Sequence, residues 1–209
     1  MKSKVFFFLL SLSFAFLFFI FTYAAKRNLF QVFDFNLTVK IQNRTSLKVD
    51  DFLSSFSALA SFEITALLLF LIILARKKLL GFVALVAFAV IHVVEIYGKT
   101  LLDHPGPAMM FYRSGTVSSI FPQWYVHPGS SYPSGHSLRI VFLGLLIAYM
   151  IIISKKLSFN TKALANLFIA SIVFLTLYSR ISLGEHWPSD VIGGSMLGAS
   201  AALFSLIFF

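Results

Sequence analysis

The chain has 209 residues, 58% of them hydrophobic and only 12% charged, against about 25% charged in an ordinary soluble domain. Its 26 phenylalanines exceed what a water-soluble core of this size conceals, and the absence of cysteine excludes disulfides and thiolate metal sites. The net charge of +9 does not indicate nucleic acid. The basic residues stand at the ends of apolar runs, a pattern that suits membrane topology and anionic head groups.

Six apolar runs follow in chain order, at residues 5–25, 54–75, 79–97, 137–153, 163–178 and 191–209. A spanning helix needs ~20 mainly apolar residues. The expected fold class is therefore all-α, an integral membrane bundle of six transmembrane helices formed by one domain over 1–209. The first run reads as a retained helix, because it is longer than a signal-peptide core and Tyr23-Ala24-Ala25 is a poor cleavage site. The fourth and fifth are short, which is tolerable where neighbouring helices cover their ends.

Between the first two runs, Phe33, Phe35, Leu37, Val39 and Ile41 alternate with polar residues. That period of two predicts a half-buried strand, which Asn43-Arg44-Thr45 would turn into a hairpin. An amphipathic interfacial segment is the other reading. With the N-terminus inside, the inner segments carry Lys2, Lys4, Arg76, Lys77, Lys78, Lys155, Lys156 and Lys162 with no acid among them. The outer loops hold as many basic residues, but the inner ones are shorter and denser in charge, where the positive-inside rule is most reliable. This orientation places the loops 26–53, 98–136 and 179–190 outside, in the cell (plasma or inner) membrane.

Charged and imidazole side chains in such a chain are functional candidates, and they converge on the two later outer loops. Lys99 stands at the exit of the third run and Tyr132-Pro133-Ser134-Gly135-His136 at the entry of the fourth. The last loop carries Arg180, Glu185, His186 and Asp190. Pro188 suits the first turn of a helix, so His186 and Asp190, four apart, are expected on one helix face. Asp190 would accept Nδ1–H of His186 and leave Nε2 as a nucleophile. Lys99 and Arg180 are cations suited to a phosphate, Arg180 bidentately. Ser134 and the N–H of Gly135 add donors at a helix entry. His136 stands opposite as a general acid, a role that supplies ~10²–10⁴-fold.

These blocks resemble those of the type-2 phosphatidic acid phosphatase superfamily of membrane lipid phosphatases. That family carries Lys-x(6)-Arg-Pro, Pro-Ser-Gly-His and Ser-Arg-x(5)-His-x(3)-Asp. The second block is present as residues 133–136 and the third as Ser179, Arg180, His186 and Asp190, every spacing intact. The likeness is strongest over 33–209. It implies a six-helix fold, a phosphohistidine intermediate on His186, His136 as acid, Ser179 among the phosphate ligands, and neither metal nor other cofactor. The first block departs from the pattern. Gly106 stands where the arginine belongs, with Pro107 matching, and His104 stands where members with a doubled Arg-Pro ending have another arginine.

Arg139, one turn after His136, is a candidate replacement phosphate ligand. The alternatives for it are snorkelling to the interface or pairing with Glu63 or Glu95. His104 either helps bind phosphate or caps a loop. His92, Glu95 and Lys99 lie along one helix face as a polar seam, with Glu95 and Lys99 an i,i+4 pair. His127 belongs to a solvent-facing turn with Pro128-Gly129, and Trp124, Tyr125 and Tyr132 to an interfacial aromatic belt. A zinc site would need three or four convergent ligands, and the neighbouring cations oppose it.

The expected partners are a lipid phosphate substrate and membrane lipids. By resemblance, the candidate substrates are polyprenyl (undecaprenyl) diphosphate, phosphatidic acid and phosphatidylglycerol phosphate. A lipid-linked phosphotransferase and a catalytically impaired lipid-phosphate binder remain alternatives. A transporter is disfavoured, because the polar groups gather at one surface and not at the midplane.

Overall fold

The computed structural model of the chain describes residues 2–76, 81–113 and 130–208. Lys77, Lys78, Trp124, Tyr125 and the His127 turn lie outside the described residues. The helices are α1 (Lys2–Lys26), α2 (Gln31–Arg44), α3 (Asp50–Leu59), α4 (Phe62–Arg76), α5 (Phe82–Leu101), α6 (Gly135–Ile153), α7 (Phe159–Ser182) and α8 (Pro188–Leu206). Five of them, α1 and α5 to α8, are long and apolar enough to cross a membrane, and the bent pair α3–α4 makes a sixth candidate span. The expected all-α membrane bundle is the fold observed.

The run 54–75 is not one helix. With the turn Leu47–Val49 that precedes it, α3 meets α4 at an angle of 47°. In a continuous helix the carbonyl of Ala60 would accept the N–H of Ile64. Here that N–H goes to Oγ of Ser61 (3.3 Å), and the freed Ala60 carbonyl accepts Nε–H of Arg139 (2.8 Å). A serine cap thus breaks the span, and an arginine from another helix fills the gap. The fifth run proves longer than its apolar stretch. Thr176, Ser179, Arg180 and Ser182 are all buried by neighbours, so α7 continues helical to Ser182.

The strand expected over 33–41 is a helix, α2. Asp34, Thr38 and Gln42 form a buried polar stripe at helical spacing, while Val32, Phe33 and Phe35 point outward. The apolar alternation mimicked a strand because the helix is inverted, with its polar side toward protein. The only bridge between extended segments among the described residues joins Pro105 and Ser130.

α8 is the centre of the bundle. Of its most apolar 18-residue stretch 72% is buried, against 11% for α1, whose Phe6, Phe16 and Phe19 face outward. Lipid is as apolar as leucine, so packing in a membrane depends on close approach by small residues. A Cβ at Gly198 would press on the carbonyl of Leu138, and one at Gly194 on that of Ser134. These two glycines let α8 lie against α6. Ser11 and Ser200 exchange hydroxyl-to-carbonyl bonds of 2.8 and 3.0 Å and fasten α1 to α8. Tyr132, expected at the membrane interface, is instead fully buried. It stacks on Phe18, and its hydroxyl lies 2.9 Å from that of Thr22.

Candidate active site

The C-terminal ends of α5 and α7 and the N-terminal ends of α6 and α8 meet at one end of the bundle. Around His136 the charged and imidazole neighbours are Arg180, Arg139, His186 and Lys99. Residues up to 87 apart in sequence therefore form one cluster.

His186 lies two residues before α8, not on its face. Its contact with Asp190 comes from cap geometry, because Asp190 is the third residue of the helix. Oδ2 of Asp190 accepts the N–H of Trp187 (2.9 Å) and faces Nδ1 of His186 (3.4 Å). Asp190 is fully buried, and a proton on Nδ1 of His186 satisfies it best. Nε2 then keeps its lone pair. Burial holds the pKa of His186 below the usual histidine value, and the charges of Arg180 and Lys99 add to that, against the opposing pull of Asp190. The ring is therefore neutral at pH 7.

His104 approaches the other carboxylate oxygen, Oδ1, at 3.2 Å. This is an ion-pair contact without hydrogen-bond alignment. Burial disfavours charge on His104, but Asp190 and then Asp34 outweigh it, and its pKa is raised. The two histidines flanking Asp190 are thus shifted in opposite directions.

Behind His136 runs a second chain of contacts. Nη2 of Arg139 lies 3.4 Å from Nδ1 of His136, and Nη1 lies 3.5 Å from Nε2 of His92. A guanidinium only donates, so both ring nitrogens accept. His136 then carries its proton on Nε2, and His92 donates from Nδ1 to the carbonyl of Phe88 (2.7 Å). Glu95 bridges two cations, with Oε1 2.7 Å from Lys99 and Oε2 3.6 Å from Arg139. The expected seam of His92, Glu95 and Lys99 is present. Arg139, 1% exposed, pairs with Glu95, His136 and the Ala60 carbonyl. These are not the surroundings expected of a phosphate ligand.

Arg180 donates from Nη1 to Ser57 and pairs through Nη2 with Glu185, while its buried Nε–H has no partner among the described residues. Its carbonyl accepts the N–H groups of Glu185 and His186 (3.2 and 3.1 Å) and so folds the loop back. Gly184, at φ 72°, makes the turn and passes close to the carbonyl of Phe111. Ser134 caps α6. Its oxygen accepts from Ser137 Oγ (3.0 Å) and N (3.4 Å), and its own O–H has no acceptor among the described residues. Ser179 spends its O–H on the carbonyl of Thr176 (2.7 Å). A Cβ at Gly106 would lie 3.5 Å from that of Ser131, an ordinary contact, so the missing side chain is not excluded for want of space there.

The structure brings together Lys99, Ser134, Gly135, His136, Arg180, His186 and Asp190. His104 and Arg139 join them, but on Asp190 and His136. Sequence reasoning missed Ser57 and Ala60 at the broken span, and Asp34, which holds Ser189 through bonds of 2.8 and 2.7 Å. The one signal for Asp34 was the Asp34-Thr38-Gln42 spacing. Among the described residues no group of three or more His, Asp or Glu side chains is arranged to hold a metal.

A family model described as PAP2 superfamily matches residues 77–209. Phosphatidylglycerophosphatase B of Bacillus subtilis is 40% identical over 76 residues, which is 35% of this chain and 36% of that protein. Undecaprenyl-diphosphatase of Sulfolobus acidocaldarius is 29% identical over 148 residues, 68% of this chain and 60% of that protein. The chain thus spans less than two thirds of either curated relative. Among solved structures, the transmembrane PAP2-type phosphatidylglycerolphosphate phosphatase from Bacillus subtilis superposes with a TM-score of 0.74 at 22% identity, over 94% of this chain and 93% of that one. That likeness is one of fold. LpxE of Aquifex aeolicus gives 0.58 at 26% identity, over 83% and 94%.

Proposed function

The chain belongs to the PAP2 superfamily, and from that premise we propose that it is a metal-independent lipid phosphate phosphohydrolase working through a phosphohistidine. The observation that carries this reading is the complementary pair of histidines. His186 has its Nε2 lone pair freed by Asp190, and His136 has its Nε2 proton fixed by Arg139.

Nε2 of His186 attacks phosphorus, the bond from phosphorus to the leaving oxygen breaks, and that oxygen takes the Nε2 proton of His136, whose ring passes to an imidazolate held by the Arg139 guanidinium at Nδ1. Water then attacks phosphorus and gives its proton to Nε2 of His136, the bond from phosphorus to Nε2 of His186 breaks, and inorganic phosphate leaves. Lys99, Arg180, the Ser134 hydroxyl and the Gly135 N–H hold the phosphoryl oxygens. The phosphate displaces Glu185 from Arg180 and satisfies its vacant Nε–H. In this reading Arg139 and His104 position His136 and Asp190 and do not bind substrate.

The relatives named for phosphatidylglycerophosphate and undecaprenyl diphosphate support a phosphate or diphosphate on a membrane-anchored lipid as the substrate class. The test is phosphate release from those two lipids and phosphatidic acid in detergent with EDTA, beside His186→Ala. Release that survives EDTA and disappears in the variant is expected. A folded protein that releases nothing from any of them is a lipid-phosphate binder, with Gly106 as the cause; release into an added acceptor alcohol marks a phosphotransferase.

The reading places the site outside the cell membrane, supported by the basic turn at Lys155 and Lys156, at the opposite end of α6 and α7. The native chain lacks cysteine, so single cysteines report the side directly. Met109→Cys, at a position 85% exposed, should react with an impermeant maleimide in intact cells, and Lys155→Cys only after permeabilisation. The reverse pattern sinks the orientation and leaves the chemistry standing.

A further inference from the structure

The loop carrying His186, residues 183–187, is tied at both ends to one helix that no motif contains. At its start, Nε2 of Gln42 donates to the carbonyl of Ser182 (3.0 Å) and to that of Phe111 (2.7 Å). At its end, Asp34 accepts from the N–H of Ser189 (2.8 Å) and from its hydroxyl (2.7 Å). The Ser189 N–H is one of the unpaired donors at the start of α8, and here another helix supplies its acceptor. Asp34 and Gln42 are two turns apart on α2, or ~12 Å along its axis. A rigid rod therefore measures the gap that the loop must close.

The strapping continues through Arg113. Its N–H bonds the carbonyl of Leu183 (2.9 Å), and its guanidinium donates to the carbonyls of Gln42 (2.8 Å) and Thr45 (3.0 Å) at the end of α2. A helix serving only as a cover would bury an apolar face. This one exposes Val32, Phe33 and Phe35 and buries a carboxylate 2% exposed. Burying such a group is costly unless it is bonded. Burial raises the pKa of Asp34, and the two Ser189 bonds work against that rise.

We infer that Asp34 and Gln42 are positioning residues that hold the His186 loop in register with the phosphate cations; the inference rests on His186 being the nucleophile. Misplacing a reacting atom by about 1 Å costs up to ~10²-fold. Asp34→Ala should therefore lower kcat by roughly 10–100-fold with little change in KM, because Lys99 and Arg180 are untouched. Asp34→Asn keeps an acceptor for the Ser189 N–H and donates to its hydroxyl, so it should restore most of the rate. In a chain labelled with 15N-histidine, Asp34→Ala should shift or broaden the His186 imidazole signal, assigned by its loss in His186→Ala, and leave that of His92 unmoved.

A folded Asp34→Ala protein with wild-type kcat and an unmoved His186 signal overturns the inference. So does an Asp34→Asn protein no better than Asp34→Ala. Should Asp34→Ala not fold, Ser189→Ala removes only the hydroxyl bond and must lower kcat several-fold; an unchanged rate there is equally fatal. The imidazole signal needs no turnover, so a wild type that releases no phosphate defeats the functional reading while the positioning role is still decided.

Discussion

Asp190→Asn is expected to lower kcat by about 10³–10⁴-fold while the protein stays folded and binds lipid phosphate nearly as well. The magnitude is that of turning the carboxylate behind a catalytic imidazole into an amide. In this chain the loss has a specific route. Asp190 uses Oδ2 for the Trp187 N–H and the His186 ring together, and Oδ1 for His104. An asparagine has one oxygen, which the Trp187 N–H would hold as the helix cap. Its NH₂ would then face His104 and its oxygen would no longer carry the charge that balances the imidazolium-like phosphohistidine. The phosphate cations are unaffected, so the loss belongs in kcat.

The pH profile separates this from a general loss of structure. The pKa of His186 is lowered, mainly by burial, with the Asp190 bond and charge pulling it up. The reactive form is the neutral ring. Wild-type activity should hold as pH falls through the ordinary histidine value of ~6.5 and decline only below it. Removing the carboxylate removes the upward pull, so the acid limb of the residual activity in Asp190→Asn should move to lower pH. An acid limb that stays fixed, or a kcat loss under tenfold, would remove His186–Asp190 from the centre of the mechanism.

The parts of the site that sit next to a helix end could be read from spacing alone. His136 follows Ser134 at the start of α6, and Asp190 follows Pro188 at the start of α8. In both cases local capping chemistry dictates the geometry. Contacts made across the bundle could not be read this way. Arg139 is legible in the sequence as a charge in an apolar span that needs a pocket or a partner, and Glu63 and Glu95 are the acids that the sequence offers it. Its bond to the Ala60 carbonyl depends on a break that a run of apolar residues does not announce. α2 was misread for a related reason. Amphipathic patterns presume that the polar side faces water, and a helix between lipid and a polar site inverts that rule. Asp34, Thr38 and Gln42 were visible, but their period of four was masked by the phenylalanines and β-branched residues between them.

Glu95 should prove to be the residue on which the cation cluster depends for stability. It is 6% exposed and carries one oxygen toward Lys99 and the other toward Arg139, itself 1% exposed. Removing one partner of a buried ion pair typically costs ~3–5 kcal/mol, because the charge left behind stays desolvated. For a chain of this length, that corresponds to a fall in thermal midpoint of roughly 6–20 °C. Glu95→Ala, heated in detergent and followed by intrinsic fluorescence, should show it. Glu95→Gln, which can still accept from Lys99, should fall between the two. Adding Arg139→Met to Glu95→Ala removes one of the stranded charges but takes the donor from the Ala60 carbonyl, so the midpoint should recover in part. Turnover should not recover, because Nδ1 of His136 has then lost the donor that fixes its tautomer. Stability regained without activity would separate the electrostatic support of the bundle from the proton on His136. A Glu95→Ala midpoint unchanged from wild type would mean that Lys99 and Arg139 are solvated in the membrane, and the dry cluster described here would be wrong.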